Sequence, residues 1–160
     1  MPIFSRMVFW AVRRAARRGL REEAPAASGA AAARKEQARR TGVRGETYAY
    51  WFLRGKGYVF VARNYQAAGM KGEIDLVGYD GETLVFVEVR TRTVREGQQG
   101  VAEQSVTRDK QEHVIRTARR FLMSRRVQAE AVRFDVVAIE SRAGSAPVVR
   151  LHKDAFSFRM

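Results

Sequence analysis

Alternation of apolar and polar residues is strongest in the middle of the chain, between Gly72 and Arg92. Two segments rich in β-branched and aromatic residues, Glu73 to Tyr79 and Thr83 to Arg90, predict two strands. The dipeptide Asp80-Gly81 lies between them and is typical of a two-residue hairpin turn. We therefore expect a β-hairpin at the centre of the fold.

The turn determines which residues of the hairpin lie opposite one another. A loop made of Asp80 and Gly81 would pair Tyr79 with Glu82, Asp75 with Phe86 and Glu73 with Glu88. Asp75 and Glu88 are then diagonal neighbours about 7–8 Å apart. Side chains alternate between the two faces, so one face is predicted to be apolar and the other to carry acids. The apolar face holds Ile74, Leu76, Val85, Val87 and Val89, and the other holds Glu73, Asp75, Val77, Leu84, Phe86, Glu88 and Arg90.

The rest of the pattern predicts one helix before the hairpin, one after it and three more strands. In the second helix, apolar residues from Val114 to Leu122 form a core stripe, and Glu46 lies on the inward stripe of the first. This order predicts an α/β domain with a mixed central sheet and helices on both faces. The predicted ranges are 31–53 and 107–124 for the helices, and 58–64, 132–140 and 148–152 for the strands.

Positive charge is concentrated near the start of the chain. The 160 residues carry a net charge of +13, and residues 1–44 hold eleven Lys and Arg against three Glu. We expect a basic, partly flexible extension over 1–40, with a linker at 24–33, followed by one domain over 41–160. Such charge favours an anionic partner, and nucleic acid is favoured over a membrane surface because no spanning or lipidation signal accompanies it.

The other exclusions are simple. The apolar run from Met7 to Val12 is too short to span a bilayer and lacks a signal-cleavage context, so we expect a cytoplasmic protein without a membrane span. The chain has no cysteine, which excludes disulfides and thiolate metal sites.

Carboxylates on adjacent strands repel each other unless a cation lies between them. A divalent metal would satisfy Asp75 and Glu88 together, and oxygen ligands favour Mg²⁺ or Mn²⁺ over Zn²⁺. Such an ion polarises a phosphoryl oxygen and activates water, as phosphodiester hydrolysis requires.

Four motifs stand out between about Gly42 and Phe156: Glu46, Gly72-Glu73-Ile74-Asp75-Leu76-Val77, Phe86-Val87-Glu88-Val89-Arg90-Thr91-Arg92 and Arg133-Phe134-Asp135-Val136-Val137. Their combination resembles the YraN family of small bacterial proteins. That family is similar to the restriction-endonuclease-like PD-(D/E)XK nucleases, which include Holliday-junction resolvases. The resemblance implies that Asp75 and Glu88 are metal ligands, that Glu46 completes the site from a helix, and that Arg90 occupies the usual lysine position.

Two positions depart from the nuclease pattern. Ile74 replaces the proline, whose role concerns backbone shape, and Arg90 replaces the lysine. An arginine supplies charge but cannot give up its proton, so metal binding is expected to survive while turnover is in question. Lys110, at the start of the second helix, either leans over the site and supplies the missing lysine or extends into solvent.

Other charged residues have two interpretations each. Lys71, Arg92 and Arg95 either contact phosphates or belong to solvated loops. Asp135 is interpreted as a structural acid paired with Arg133. The arginines of the second helix form either a solvated face or a phosphate-contacting flank, and they are Arg116, Arg119, Arg120, Arg125 and Arg126.

Three hypotheses follow for function. The first is a metal-dependent endonuclease that hydrolyses DNA, branched or single-stranded, with Glu73 as an assisting acid. The second is a nucleic-acid-binding module of the same fold with impaired catalysis. The third treats the acids and arginines as surface ion pairs, and it predicts scattered, solvent-facing carboxylates. Related resolvases act as dimers, so the resemblance also leaves a homodimer open.

Overall fold

The computed structural model describes residues 30–94, 106–141 and 145–158. Most element boundaries agree with the sequence prediction within one or two residues, but the third and last strands are longer than predicted. The first helix begins at Ala30, so the prediction of a linker over residues 30–33 was wrong. The basic segment before residue 30 and the loop that carries Arg95 lie outside the described residues. The elements are α1 (Ala30–Gly55), β1 (Val59–Tyr65), β2 (Ile74–Asp80), β3 (Thr83–Thr93), α2 (Arg108–Arg125), β4 (Val132–Ser141) and β5 (Val148–Phe156).

The strands form one mixed sheet in the order β1-β2-β3-β4-β5. All neighbours are antiparallel except β3 and β4, which are parallel and joined through α2. A parallel pair needs a crossover connection, and the helix between these strands supplies it. The predicted α/β class with a mixed central sheet is confirmed.

Each face of the sheet is covered by one helix. Helix α1 packs Tyr48, Ala49 and Leu53 on one face, against a group that includes Leu76 and Val87. Helix α2 packs on the other face, where Val114, Ala118 and Phe121 meet Val77, Phe86 and Phe134. Full burial of such a side chain contributes about 1.5–3 kcal/mol, so these contacts fix both helices on the sheet. Ile74 packs on the α2 side, contrary to the predicted face.

The hairpin register differs from the prediction by two residues. Asp80 pairs with Thr83 and Tyr79 with Leu84, so the two-residue loop is Gly81-Glu82. Gly81 has a φ of 64° at the first loop position, where type II′ turns place glycine. A shift of two residues preserves the two faces of the hairpin, and of the core residues named above only Ile74 departs from its predicted face. It does change the neighbours: Val77, rather than Asp75, lies opposite Phe86, and the paired residues end at Leu76 with Val87, next to Asp75 and Glu88.

A buried acid of β4 is hydrogen-bonded to residues from other parts of the sheet near the hairpin turn. Asp135 is fully buried, and its Oδ1 accepts from Arg133 Nε at 2.8 Å. Its Oδ2 accepts from the Tyr58 hydroxyl at 2.9 Å, and the Asp154 amide donates to Oδ1 at 3.1 Å. Arg133 also reaches Asp80 Oδ2 at 2.6 Å. The predicted pairing of Asp135 with Arg133 is confirmed, and its filled hydrogen-bonding capacity fits a structural role.

Candidate active site

Two carboxylates lie buried on the neighbouring strands β2 and β3. Asp75 is 7% exposed and Glu88 is 2% exposed. The Val89 amide donates to Asp75 Oδ2 at 2.6 Å, which holds the first carboxylate against the strand that carries the second. The scattered, solvent-facing carboxylates expected of surface ion pairs are not found at these two positions.

Burial dominates the electrostatics of this pair. Loss of solvent, reinforced by the charge of Glu88, raises the pKa of Asp75, and the hydrogen bond from Val89 opposes the change. Loss of solvent also raises the pKa of Glu88, although Lys110 and Arg90 act in the opposite direction. Two buried acids with raised pKa values hold a proton or require a cation, because both cannot ionise cheaply at close range.

Two cationic side chains reach the same oxygen of Glu88. Lys110 Nζ lies 3.1 Å from Glu88 Oε1, and Arg90 Nη2 lies 3.4 Å from it. Thr107 caps α2 and accepts a hydrogen bond from the Lys110 amide, so the cap fixes the turn from which this lysine projects. Of the two positions predicted for Lys110, the structure has the one over the carboxylates.

Glu46 approaches the pair from α1 but is turned aside. Its Oε2 accepts from Asn64 Nδ2 at 2.9 Å, and its charge contributes to the raised pKa of Asp75. The preceding Gly45 packs directly on Thr91, where a side chain on residue 45 would overlap the threonine. This close approach of α1 to β3 brings Glu46 to the site, and no local pattern in the sequence indicates this role for Gly45.

The site is an open cleft of about 600 Å³. It brings together every predicted catalytic residue and also Arg92, whereas Lys71 is exposed and does not line it. The assisting acid Glu73 is at the cleft and accepts from Gln66 Nε2 at 3.3 Å. The lining residues are Gly42, Glu46, Glu73, Asp75, Glu88, Val89, Arg90, Thr91, Arg92 and Lys110.

One contact beside the cleft was missed by sequence reasoning. The His113 imidazole lies over Gly72, in the space that a side chain there would occupy, and Gly72 has a φ of 90°. Burial and the charges of Lys110 and Arg116 lower the pKa of His113, so the ring is neutral near pH 7. The contact seats the first half of α2 against the segment that leads into Asp75. The sequence signal for this contact is Gly72 itself, a glycine just before the strand that carries Asp75.

The carboxylates of the cleft are the candidate ligands for a divalent ion. Across 30–94, 106–141 and 145–158, no three His, Cys, Asp or Glu side chains are gathered closely enough to hold one between them. Mg²⁺, however, is commonly held by one or two carboxylates and completes its shell with water. Glu88 Oε2 is buried and has no hydrogen-bond partner among the described residues. The two-carboxylate donor set with this unpartnered oxygen therefore fits Mg²⁺ or Mn²⁺.

Neither helix of the described segments combines the length and the apolar composition needed to cross a bilayer.

Fold and cleft together define a small, basic α/β domain with a two-carboxylate site at one edge of its sheet. The sequence model of the Uncharacterised protein family UPF0102 matches residues 45–139, which include both carboxylates, Glu46 and Lys110. The chain belongs to this family, which is the YraN family whose resemblance the motifs carry.

Relatives from several bacteria support the assignment. A UPF0102 protein of Nitrosospira multiformis is 48% identical over 103 residues, which cover 64% of this chain and 82% of that protein. One from Koribacter versatilis is 41% identical over 100 residues, with 62% and 68% covered. One from Geotalea uraniireducens is 39% identical over 115 residues, with 72% and 87% covered.

Proposed function

We propose that this protein is a metal-dependent endonuclease that hydrolyses phosphodiester bonds in DNA. The observation that carries the proposal is the convergence of Asp75, Glu88 and Lys110 in one cleft, with both carboxylates buried. Burial of two like charges is destabilising unless a proton or a cation neutralises them, and perturbed carboxylates in a cleft are typical of catalytic sites.

Asp75 and Glu88 are the residues that would hold Mg²⁺ or Mn²⁺, and Glu46 lies beside them. The ion would supply polarisation of a phosphoryl oxygen and a more acidic water. Lys110 offers an ammonium group that can orient a nucleophilic water and release a proton, which the guanidinium of Arg90 cannot do. Arg90 is suited to stabilise the negative charge that develops on the phosphate.

Lys110 is the proposed substitute for the lysine that is missing from the nuclease pattern. A lysine is expected on β3 where Arg90 stands, yet Lys110 reaches Glu88 from α2 and contacts the same oxygen as Arg90. The required ammonium is thus present although its sequence position differs. The resemblance to PD-(D/E)XK nucleases supports the same assignment.

The charge of the chain supports the proposed substrate class. A net charge of +13 attracts a polyanion, and Arg92 at the cleft adds a group suited to a phosphate near the acids. We propose branched or single-stranded DNA as the substrate. On symmetric junctions the proposed form is a homodimer. The proposed location is the cytoplasm, where such a substrate would be found.

One observation favours the second function, a nucleic-acid-binding module without turnover. Lys110 and Arg90 already neutralise Glu88, as a metal ion otherwise would. In this second function the two contacts hold the acids as structural groups of the cleft, and the domain binds nucleic acid without cutting it.

Incubation of the full chain with plasmid, single-stranded and four-way-junction DNA distinguishes the two functions. The endonuclease should cut at least one substrate in Mg²⁺ or Mn²⁺ and none in EDTA. Asp75→Asn and Glu88→Gln should abolish cutting. Glu82→Gln, which removes an exposed acid from the turn of the same hairpin, is the matched control and should cut normally. Salt-sensitive binding without cutting by the wild type would instead establish the binding module.

A further inference from the structure

We propose that a second groove, between α2 and the end of β5, binds a single strand of nucleic acid that leads away from the acidic cleft. The groove has a volume of about 640 Å³. Its rim carries Arg108, Arg116 and Arg119, and its floor includes Ile115 and Phe156. The proposal rests on the nucleic-acid substrate proposed above and names a surface for that substrate distinct from the cleft.

The rim has the charge of a phosphate-binding surface. The groove is lined by three exposed arginines and by a single acid, Glu112. Among the described residues, neither Arg108 nor Arg116 forms an ion pair with a carboxylate. Arg119 lies over the Phe158 ring at 5.5 Å, so its guanidinium is held against an aromatic face. Unpaired, solvated arginines along one helix are available to a polyanion without breaking internal contacts.

The floor favours a single strand over a duplex. Duplex phosphates require only the basic rim, because the bases of a duplex are stacked and paired inside it. A single strand exposes its bases, and apolar and aromatic side chains below a basic rim are the features that bind them. Phe156 is held for this role by stacking on Phe134, with ring centroids 5.0 Å apart.

The length of the groove suits a strand of only a few nucleotides. Arg108 and Arg119 are eleven residues apart on α2, which corresponds to roughly 16 Å of helix. At a B-form rise of about 3.4 Å for each nucleotide, this length spans at most about five nucleotides. The two sites meet at the start of α2, since Lys110 projects into the acidic cleft while Arg108 lines the groove. A strand that passes this helix end would contact both.

The test compares two pairs of charge-neutralising substitutions on one helix. Arg108→Gln/Arg116→Gln removes two groove arginines, and Arg120→Gln/Arg125→Gln removes two exposed arginines of the same helix that do not line the groove. Binding of a fluorescein-labelled single strand of about 15 nucleotides is followed by anisotropy in EDTA over a series of salt concentrations. Thermal unfolding verifies that each variant is folded.

We expect the groove pair to weaken binding on the order of tenfold at about 0.15 M salt and to reduce the slope of log affinity against log salt by about 1.4. The control pair should leave both quantities nearly unchanged. Equal losses in both variants would mean that the net charge binds the strand diffusely, and they would overturn the proposal. Equal affinity for a matched duplex, or competition by a poly-glutamate peptide at the same concentration, would also overturn it.

The same experiment separates this proposal from the nuclease proposal. The strand-binding measurement is made in EDTA and needs no metal, and the groove contains neither carboxylate of the acidic cleft. If no substrate is cut but the two arginine pairs differ as expected, the groove proposal stands and the nuclease proposal fails. If cutting occurs and the two arginine pairs bind alike, the nuclease proposal stands and the groove proposal fails.

Discussion

Metal-free protein should become less stable as the pH rises from 5 to 7, and Asp75→Asn should remove much of that dependence. The pKa of Asp75 is raised from 3.8 to about 8 by burial and by the charge of Glu88. A group whose folded pKa is raised stabilises the fold fully below its unfolded pKa, and that contribution is lost as the pH rises through the folded value. The affected window is therefore about pH 4 to 8.

The size of the effect follows from one retained proton. Between pH 5 and 7 the buried pair of Asp75 and Glu88 holds about one proton more in the folded chain than in the unfolded chain. Each pH unit then lowers the free energy of unfolding by about 1.4 kcal/mol, or about 3 kcal/mol over the interval. For a chain of 160 residues this corresponds to a fall in Tm of roughly 6–10 °C. An asparagine at position 75 cannot bind the proton, yet its amide oxygen can still accept from Val89.

Thermal unfolding in EDTA at pH 5, 6 and 7 measures the difference. The wild type should lose Tm more steeply than Asp75→Asn, and the variant should be the more stable protein at pH 7. Glu82→Gln, with its exposed side chain on the same hairpin, should follow the wild type. Millimolar Mn²⁺ should raise the Tm of the wild type more at pH 7 than at pH 5, since metal and proton compete for the carboxylates. Parallel pH profiles for wild type and Asp75→Asn would refute a shared buried proton.

Three further substitutions test the supports of the cleft. Gly45→Ala should lower stability by about 1–3 kcal/mol and weaken Mn²⁺ binding by displacing α1, whereas Gly42→Ala, which has open space around it, should be neutral or stabilising by up to about 1 kcal/mol in thermal unfolding. Lys110→Gln should reduce single-turnover cutting by about 10²-fold or more, and Arg90→Lys in that background should restore part of it; wild-type cutting by Lys110→Gln would exclude the lysine from the chemistry. Asp135→Asn should lower the free energy of unfolding by about 3 kcal/mol, seen as a lower Tm, without changing cutting by the folded protein.

Local periodicity accounts for what the sequence analysis predicted well. Alternation with period two placed Asp75 and Glu88 on a common face, and this survives a register shift of two residues because such a shift preserves sides. The register itself was wrong because Asp80-Gly81 fits a primed turn at more than one offset. Gly81 takes the first loop position rather than the second, and only the pairing of whole strands decides between the two.

Contacts between distant segments account for what was missed. Asn64 follows the hydrophobic run of β1 and carries no local signal for Glu46, yet it turns that carboxylate aside. A glycine inside a helix normally weakens it, but Gly45 is the point where α1 meets β3. Neither role is visible until the helix is placed on the sheet, because each depends on a partner far away in sequence.

The position of the ammonium group shows how such docking determines chemistry. Lys110 reaches Glu88 from α2, and on the same helix His113 packs directly on Gly72, just before β2. A side chain at position 72 would overlap the His113 ring and would be strained at the backbone φ of 90°, so we expect it to disturb the start of α2, which carries Lys110, more than the acids. The carboxylates are thus a property of the hairpin, whereas the complete cleft is a property of the helix packed on it. Substitutions at the contact of His113 with Gly72 should therefore reduce cutting more than they reduce binding of Mn²⁺.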